Sequence, residues 1–202
     1  MKQVLIIESS PRGAESASRQ LTEKLKERLR SLYPEATFVE HDLAKDPLPH
    51  LDYPTVKAIF TRDQVEAESL NEVLRLSDQH TDEVLSSDLL VIASPMWNFG
   101  LPSSLKAWVD HIVRPGKTFR YSGGGAEGLV LQKKAILVLA SGGVFTDGPW
   151  KPWDTVEPYL RLILGFIGIT DVQTVRAEHP ATRPASDPRG REGNRDAGNL
   201  KE

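Results

Sequence analysis

The sequence predicts an α/β fold built on a doubly wound, five-stranded parallel sheet with the strand order 2-1-3-4-5. Short, continuously apolar runs alternate along the chain with longer segments of helical periodicity. Such apolar runs are typical of strands covered on both faces, as in parallel sheets, and five strands favour this order. With 202 residues, the chain has the length of one domain.

The predicted elements follow one another without an internal repeat. Residues 4–7 form the first strand, and a loop rich in serine leads to a helix marked by Leu21, Leu25 and Leu29. Strands follow at 37–43, 89–93, 135–140 and 172–175, and helices at 63–85, 103–113 and 154–166. Residues 1–179 form the predicted domain. The polar segment 180–202, rich in proline and arginine, is expected to be disordered or loosely docked.

The composition excludes several classes of function. A net charge of −3 gives no electrostatic reason to expect nucleic acid or an anionic membrane as a partner, and no apolar segment approaches the ~20 residues of a membrane span. The chain contains no cysteine, which excludes disulfides, thiolate metal sites and a cysteine nucleophile. This usage suits a reducing compartment, so we expect a cytoplasmic protein.

The loops after strands 1, 3 and 4 should meet in one crevice, because ligands of such sheets bind beyond the carboxyl ends of the strands. The first loop places Ser10, Ser16, Ala17 and Ser18 around a helix N-terminus, where free N–H groups and the helix dipole favour an anion. These residues are candidates for a phosphate cradle. A helix-capping role for the serines remains open at this point.

The other two loops have the residues for a flat ring. The third loop, with Pro95, Met96, Trp97, Asn98 and Phe99, is more apolar than a connector needs and offers aromatic surface. The fourth, with Ala140, Ser141, Gly142 and Gly143, brings backbone N–H donors close to a ligand edge, where they would stabilise negative charge. Taken singly, each loop could also be a plain turn. Together with a phosphate cradle, they suit flavin mononucleotide (FMN).

The sequence lacks the residue patterns typical of a metal site, a hydrolase or a nucleotide-binding loop. No histidine forms a pair with another ligand type at the spacing of a metal site, so we expect no metal; the five are His41, His50, His80, His111 and His179. Asp110 and His111 are adjacent in a helix and no serine lies on a nucleophile elbow, which argues against a hydrolase. The first loop also carries neither a Walker sequence nor a G-x-G-x-x-G fingerprint.

Several segments up to about Glu178 resemble the FMN-dependent NADH:quinone oxidoreductases, also called NADH-azoreductases, which have a flavodoxin-like fold. The main ones are Ser16-Ala17-Ser18, Pro95-Met96-Trp97-Asn98-Phe99, Thr118-Phe119-Arg120-Tyr121, Gly142-Gly143 and Leu164-Gly165-Phe166-Ile167-Gly168. Trp97 stands where this family often has tyrosine, and Ala140-Ser141 replaces a more usual Ser-Arg pair.

The resemblance implies a homodimer with one FMN per subunit and a ping-pong reaction from NADH to a quinone or an azo compound. FMN carries the hydride chemistry, so no catalytic side chain is assigned. Ser10, Ser16 and Ser18 would hold the phosphate, and the third and fourth loops the ring system. Phe60, Phe119 and Tyr121 are candidates for the substrate wall, some reaching in from the partner subunit.

Two questions stay open in the sequence. A flavodoxin-type electron carrier, or a flavin-binding module without its own acceptor, is the alternative function; the aromatic segment 119–121 favours the enzyme. The large aromatics Trp108, Trp150 and Trp153 predict a dimer contact, although the last two could instead form a lid over the site. The acceptor and the choice between NADH and NADPH are not fixed.

Overall fold

The computed structural model describes residues 1–61 and 71–178, and a parallel sheet organises them. The strands are β1 (Gln3–Glu8), β2 (Thr37–Asp42), β3 (Leu89–Pro95), β4 (Phe119–Ser122), β5 (Gly125–Gly128), β6 (Lys134–Ser141) and β7 (Asp171–Glu178). The α-helices are α1 (Ala17–Leu32), α2 (Tyr53–Phe60), α3 (Asn71–Ser86), α4 (Ser103–Ile112) and α5 (Val156–Ile167). Short 3-10 turns lie at Gly13–Glu15 and Gly148–Trp153.

The large sheet has five parallel strands in the order β2-β1-β3-β6-β7. This is the predicted order, because β4 and β5 form a separate antiparallel pair outside it. All five predicted strands are found, each within three residues of its expected ends. Continuous apolar runs were a sufficient signal for β1, β3 and β6, whereas the edge strands β2 and β7 mix polar with apolar residues.

Two hydrophobic clusters cover the sheet, since successive strand residues point to opposite faces. Val4 and Ile6 pack with α1 through Leu29. Leu5 and Ile7 belong to a larger cluster on the other face, which contains residues of α3, α4 and α5. The sheet is thus held between helices, and its carboxyl edge is left to loops.

Helix ends follow local sequence signals. The side chain of Ser16 accepts a hydrogen bond from the N–H of Arg19 and caps α1, and that of Asp52 accepts one from Thr55 and caps α2. Helix α5 ends at Gly168, whose φ of 109° lies in the left-handed region that glycine adopts without strain. These ends fix where each loop leaves its helix.

Some expectations need correction. Helix α2 and the hairpin of β4 and β5 were not predicted. Trp108 was expected at a subunit contact, but it is fully buried in the core of its own chain, so this part of the dimer prediction is wrong. Of the helix predicted at 63–85, the first part lies outside the described residues, as does the tail at 180–202. In the described part of the chain, no helix is long and apolar enough to span a bilayer.

Candidate functional site

A pocket opens at the carboxyl edge of the sheet, where the loops after β1, β3 and β6 meet. Its lining comes from all three loops, as the sequence predicts: Ser10, Arg12, Ser16, Ala17, Pro95, Met96, Trp97, Ala140, Ser141 and Gly142. The loops are fastened to one another, since the N–H of Met96 donates to the carbonyl of Ala140 over 2.7 Å. The pocket is therefore a property of the sheet edge and not of one flexible loop.

The first wall of the pocket is the N-terminus of α1. The hydroxyls of Ser16 and Ser18 lie 2.9 Å apart and both side chains are buried. Ser16 lines the pocket, whereas Ser18 does not and reaches it only through Ser16. The first N–H groups of the helix have no partner within the helix, which makes this end a site for an anion. Capping and anion binding are thus compatible here, because Ser16 lines the pocket and also caps α1.

Arg12 adds a cation that was not among the predicted cofactor residues. Its side chain is 62% exposed and pairs weakly with Glu15 over 3.8 Å, so it is free to turn towards an anion in the pocket that it lines. The signal was present in the sequence, because Arg12 is the only basic residue between β1 and α1.

A partly buried ion pair holds the first loop in place. The guanidinium of Arg19, on α1, donates two hydrogen bonds to the carbonyl of Ser10, at 2.7 and 3.1 Å. It also pairs in bidentate fashion with Asp42 at the end of β2, at 2.6 and 2.9 Å. Burial alone would raise the pKa of Asp42, but hydrogen bonds from Arg19 and Ala44 hold it below its usual range.

Glu8 is the other ionisable group behind this loop. Its side chain is buried at the end of β1, and its Oε2 atom has no hydrogen-bond partner. Burial raises its pKa to about 7, against the opposing effects of Arg19 and Thr22. The carboxyl therefore titrates near neutral pH, two residues before the pocket residue Ser10.

The loop after β3 makes a tight turn with unusual backbone angles. Trp97 and Gly100 exchange two backbone hydrogen bonds of 2.9 Å, and Asn98 and Phe99 between them have φ angles of 48° and 62°. This is the pattern of a type I′ turn. The left-handed angles fall on Asn98 and Phe99 instead of glycine, and such strain concentrates at ligand-binding sites. The hydroxyl of Thr155 fixes the turn by donating to the carbonyl of Phe99.

An aromatic cluster stands beside this turn. Phe99 packs edge-on against Phe145 and Trp153, with ring centroids 6.2 and 5.6 Å apart. Trp150 joins the cluster through Phe145, at 5.6 Å. A Cβ on Gly143 would lie 2.4 Å from the ring of Trp150, so only glycine leaves room for this indole. Trp150 and Trp153 are thus partly covered within their own chain, at 40% and 52% exposure.

The loop after β6 is anchored at its far end by β7. One carboxylate oxygen of Glu178 accepts from the N–H groups of Phe145 and Thr146, at 2.8 and 3.0 Å. The hydroxyl of Ser141 closes the near end by donating to the carbonyl of Gly143 over 2.8 Å. A Cβ on Gly142 would meet no atom within 4 Å, so this residue faces open space in the pocket. The loop therefore presents its backbone to a ligand.

Nine of the thirteen predicted cofactor residues line the pocket. The four that do not are Ser18, Asn98, Phe99 and Gly143. Ser18 supports Ser16, and Asn98 with Phe99 forms the turn that follows the pocket residue Trp97. Gly143 borders a neighbouring depression with Val144 and Trp150. These four residues thus shape the site from behind or beside it.

The predicted substrate residues lie away from the pocket within one chain. Helix α5 begins near Ser141 and Met96 and runs for 12 residues, about 18 Å, to the opposite edge of the sheet. There the carbonyl of Ile167 accepts from the N–H of Val130, just after the hairpin. Phe119 and Tyr121 belong to this hairpin. Phe60 is exposed at the end of α2 and is not part of the pocket lining.

The residues around the pocket fit FMN. A helix N-terminus, the hydroxyl of Ser16 and the cation of Arg12 suit a phosphate. Met96 and the 55% exposed ring of Trp97 offer apolar surface to a flat ring system. The exposed backbone at Gly142 suits the polar edge of such a ring.

Known proteins share both the sequence and the fold. A model of the flavodoxin-like fold family matches residues 2–199, further along the chain than the segments quoted above. The FMN-dependent NADH:quinone oxidoreductase of Beijerinckia indica is 65% identical over 178 residues, 88% of either chain. An azoreductase of Bacillus anthracis is 30% identical with a TM-score of 0.80, covering 88% of this chain and 87% of that one.

A second solved structure carries the cofactor. It is an FMN-dependent NADH-azoreductase from Bacillus anthracis in complex with FMN, 26% identical with a TM-score of 0.78, and it covers 91% of this chain and 90% of that one. High identity over nearly the whole described chain and a shared fold establish the relationship. This chain belongs to the family of the FMN-dependent NADH:quinone oxidoreductases, within the flavodoxin-like fold.

Proposed function

We propose that this chain is an FMN-dependent enzyme that passes two electrons from NADH to quinones or azo compounds, by a ping-pong mechanism. The observation that carries the proposal is the convergence of three loops on one pocket. At one end of the pocket, the N-terminus of α1 suits a phosphate, and the ring of Trp97 offers aromatic surface. The chain's relatives support the proposal, since they are quinone oxidoreductases and azoreductases. FMN, when bound, supplies the hydride chemistry.

The chain's own residues bind and orient. Ser16 and the N–H groups at the start of α1 hold the phosphate, and Arg12 turns onto it as a counter-charge. Arg19 fixes the carbonyl of Ser10, so that the first loop is preorganised before the cofactor arrives. Preorganisation reduces the ordering entropy that binding would otherwise cost.

Backbone groups set the electronic environment of the ring. The loop after β6 is fastened at both ends, by Ser141 and by Glu178, so its N–H groups keep a fixed direction. Donors fixed beside the polar edge of a flavin favour the extra negative charge of the reduced ring. Trp97, which lines the pocket, would cover the apolar surface of the ring and exclude water from it.

The substrate wall requires a second copy of the chain. We propose a homodimer, because the hairpin can contribute to a pocket only if the partner presents it. Tyr121 is 68% exposed and packs edge-on against Phe119, which is buried in its own chain and also contacts Phe166. Phe119 would therefore support the substrate wall from behind, and exposed tyrosines such as Tyr121 are enriched at interfaces. We also propose the doubly wound form of the fold and a cytoplasmic location.

The test begins with the purified protein. It should be yellow, and the flavin released by heating should be FMN by mass spectrometry, because the pocket has one phosphate end. NADH should reduce the bound flavin without an acceptor, and a quinone should then reoxidise it in a second, separate phase. FAD as the released flavin, or no reduction by NADH, would overturn the proposal. Rapid reduction by NADH without turnover of any quinone or azo compound would indicate the electron carrier instead.

The dimer has its own test. Light scattering at micromolar concentration should give twice the chain mass, and Tyr121→Ala should raise the KM for a quinone while leaving the FMN content unchanged. A monomer with full activity would refute the assembly and leave the cofactor chemistry standing.

A further inference from the structure

Two imidazoles and a carboxylate meet on the side of the sheet that carries α3. His41 lies near the end of β2, and His80 and Glu83 lie one turn apart on α3. The Nε2 atom of His41 is 2.6 Å from the Oε2 atom of Glu83, and the Nδ1 atom of His80 is 3.4 Å from that same oxygen. All three ligand atoms lie within 4.8 Å of one another.

The Nδ1 atom of one histidine in this cluster is buried without a hydrogen bond. His80 is 5% exposed, and its Nδ1 atom has no hydrogen-bond partner. An unpartnered polar atom costs free energy when it is buried, so its position directed into the cluster calls for a ligand.

One of the three ligand distances matches a small divalent cation. Ligand atoms about 2.0–2.1 Å from zinc in a tetrahedral site are about 3.3 Å apart, close to the 3.4 Å between His80 and Glu83. His41 must adjust to complete the site, because its Nε2 atom is 2.6 Å from Glu83 and within 4.8 Å of the His80 ligand atom; its side chain is 23% exposed and has room to move. Gln79 donates to the second carboxylate oxygen of Glu83 over 3.1 Å, an outer contact that orients the ligand.

We propose that His41, His80 and Glu83 bind one zinc-like divalent cation, with water as the fourth ligand. The cation ties β2 to α3 and stabilises the fold without taking part in the flavin chemistry. Alternate residues of a strand point to opposite faces. Asp42 therefore pairs with Arg19 on the side of α1, while His41 faces α3. The site thus lies on the α3 face of the sheet, and none of its three residues lines the pocket at the carboxyl edge.

A hydrogen-bonded cluster is the competing explanation. The contact between His41 and Glu83 could exist only to join strand and helix, as ordinary polar pairs do. In that case zinc would not bind, and Glu83→Gln would lower stability equally with and without metal. The two explanations therefore differ in a measurable quantity.

The experiment uses the holoprotein without an affinity tag, treated with EDTA and dialysed. Titration with ZnCl2 by calorimetry should give one ion per chain, and His41→Gln and Glu83→Gln should each lower the affinity at least roughly tenfold. His50→Gln is the matched control, because His50 is exposed and outside the cluster; its affinity should equal that of the unmodified protein.

A second readout does not depend on the variants. Added Co²⁺ should give the visible absorption of a four-coordinate site, and Zn²⁺ should displace it. Zinc should also raise the Tm of the unmodified protein more than that of Glu83→Gln, and NADH oxidation should change by less than about twofold between the metal-free and zinc-loaded forms. The absence of zinc binding by calorimetry would overturn the proposal. So would an affinity for zinc in His41→Gln and Glu83→Gln that equals the affinity of the unmodified protein.

Discussion

The ion pair between Arg19 and Asp42 should determine how well the first loop binds FMN. Arg19→Gln removes two hydrogen bonds to the carbonyl of Ser10 and a bidentate pair with Asp42. Hydrogen bonds to charged groups contribute about 1.5–3 kcal/mol each. The two charged side chains retain 17% and 19% exposure, so water compensates in part. We expect a loss of about 2–4 kcal/mol in the free energy of unfolding.

Arg19→Gln should also lower the affinity of the protein for FMN. Without Arg19 the carbonyl of Ser10 is no longer held, and the loop must be ordered when FMN binds. We expect an affinity about tenfold lower, which corresponds to ~1.4 kcal/mol. Urea unfolding of the flavin-free protein measures the first effect, and quenching of FMN fluorescence during titration measures the second.

Lys26 provides the matched control. Its ammonium also joins α1 to β2, through a 2.6 Å contact with Glu40, but it lies two turns further along the helix from the pocket. Lys26→Gln should lower stability and leave FMN affinity unchanged. If Arg19→Gln bound FMN as tightly as the unmodified protein, the reasoning that Arg19 preorganises the loop would be refuted.

Three further predictions concern the pocket and the buried carboxyl of Glu8 behind its first loop. Ser16→Ala combined with Ser18→Ala should lower FMN affinity at least roughly tenfold, by fluorescence titration, because two hydroxyls are lost near the phosphate end; unchanged affinity would leave only helix capping. Gly142→Val should fold normally by circular dichroism but lower the flavin potential or content in a redox titration, since its Cβ projects into open pocket; normal values would refute contact with the ring. Glu8→Gln should stabilise the flavin-free protein at pH 8 and not at pH 5, by up to about 3 kcal/mol in urea unfolding. The folded state binds an extra proton between pH 4.5 and about 7, so stability falls as pH rises through that window; equal differences at both pH values would contradict this.

The parallel sheet was predictable because its signal is local. The three central strands are continuous apolar runs, as in residues 4–7 and 135–140, because burial on both faces demands such a run. The edge strands β2 and β7 mix apolar and polar residues and are only partly buried. The pocket followed from the same information, since the loops after β1, β3 and β6 must open at one edge. Thus nine of the thirteen predicted cofactor residues, named without any knowledge of tertiary contacts, fall in the pocket lining.

The missed elements have weaker signals. The hairpin of β4 and β5 reads Phe119-Arg-Tyr-Ser-Gly-Gly-Gly-Ala-Glu-Gly128, in which the glycines and polar residues give no clear alternation. It is held in place by contact with the end of α5, where a Cβ on Gly128 would lie 2.3 Å from the backbone of Gly168. Helix α2 did carry a signal, since Asp52 and Pro54 mark a typical helix start.

Long-range contacts explain the errors that matter for function. Trp108 was placed at a subunit contact because its helix was judged to have no core left to fill, yet the cluster with Leu105 and Leu164 buries it completely. The spacing of histidines along the chain also could not show that a strand and a helix bring His41 and His80 together. Spacing within one element reports only contacts made by that element. A cluster shared between β2 and α3 becomes visible only when the sheet order and the helix packing are both known.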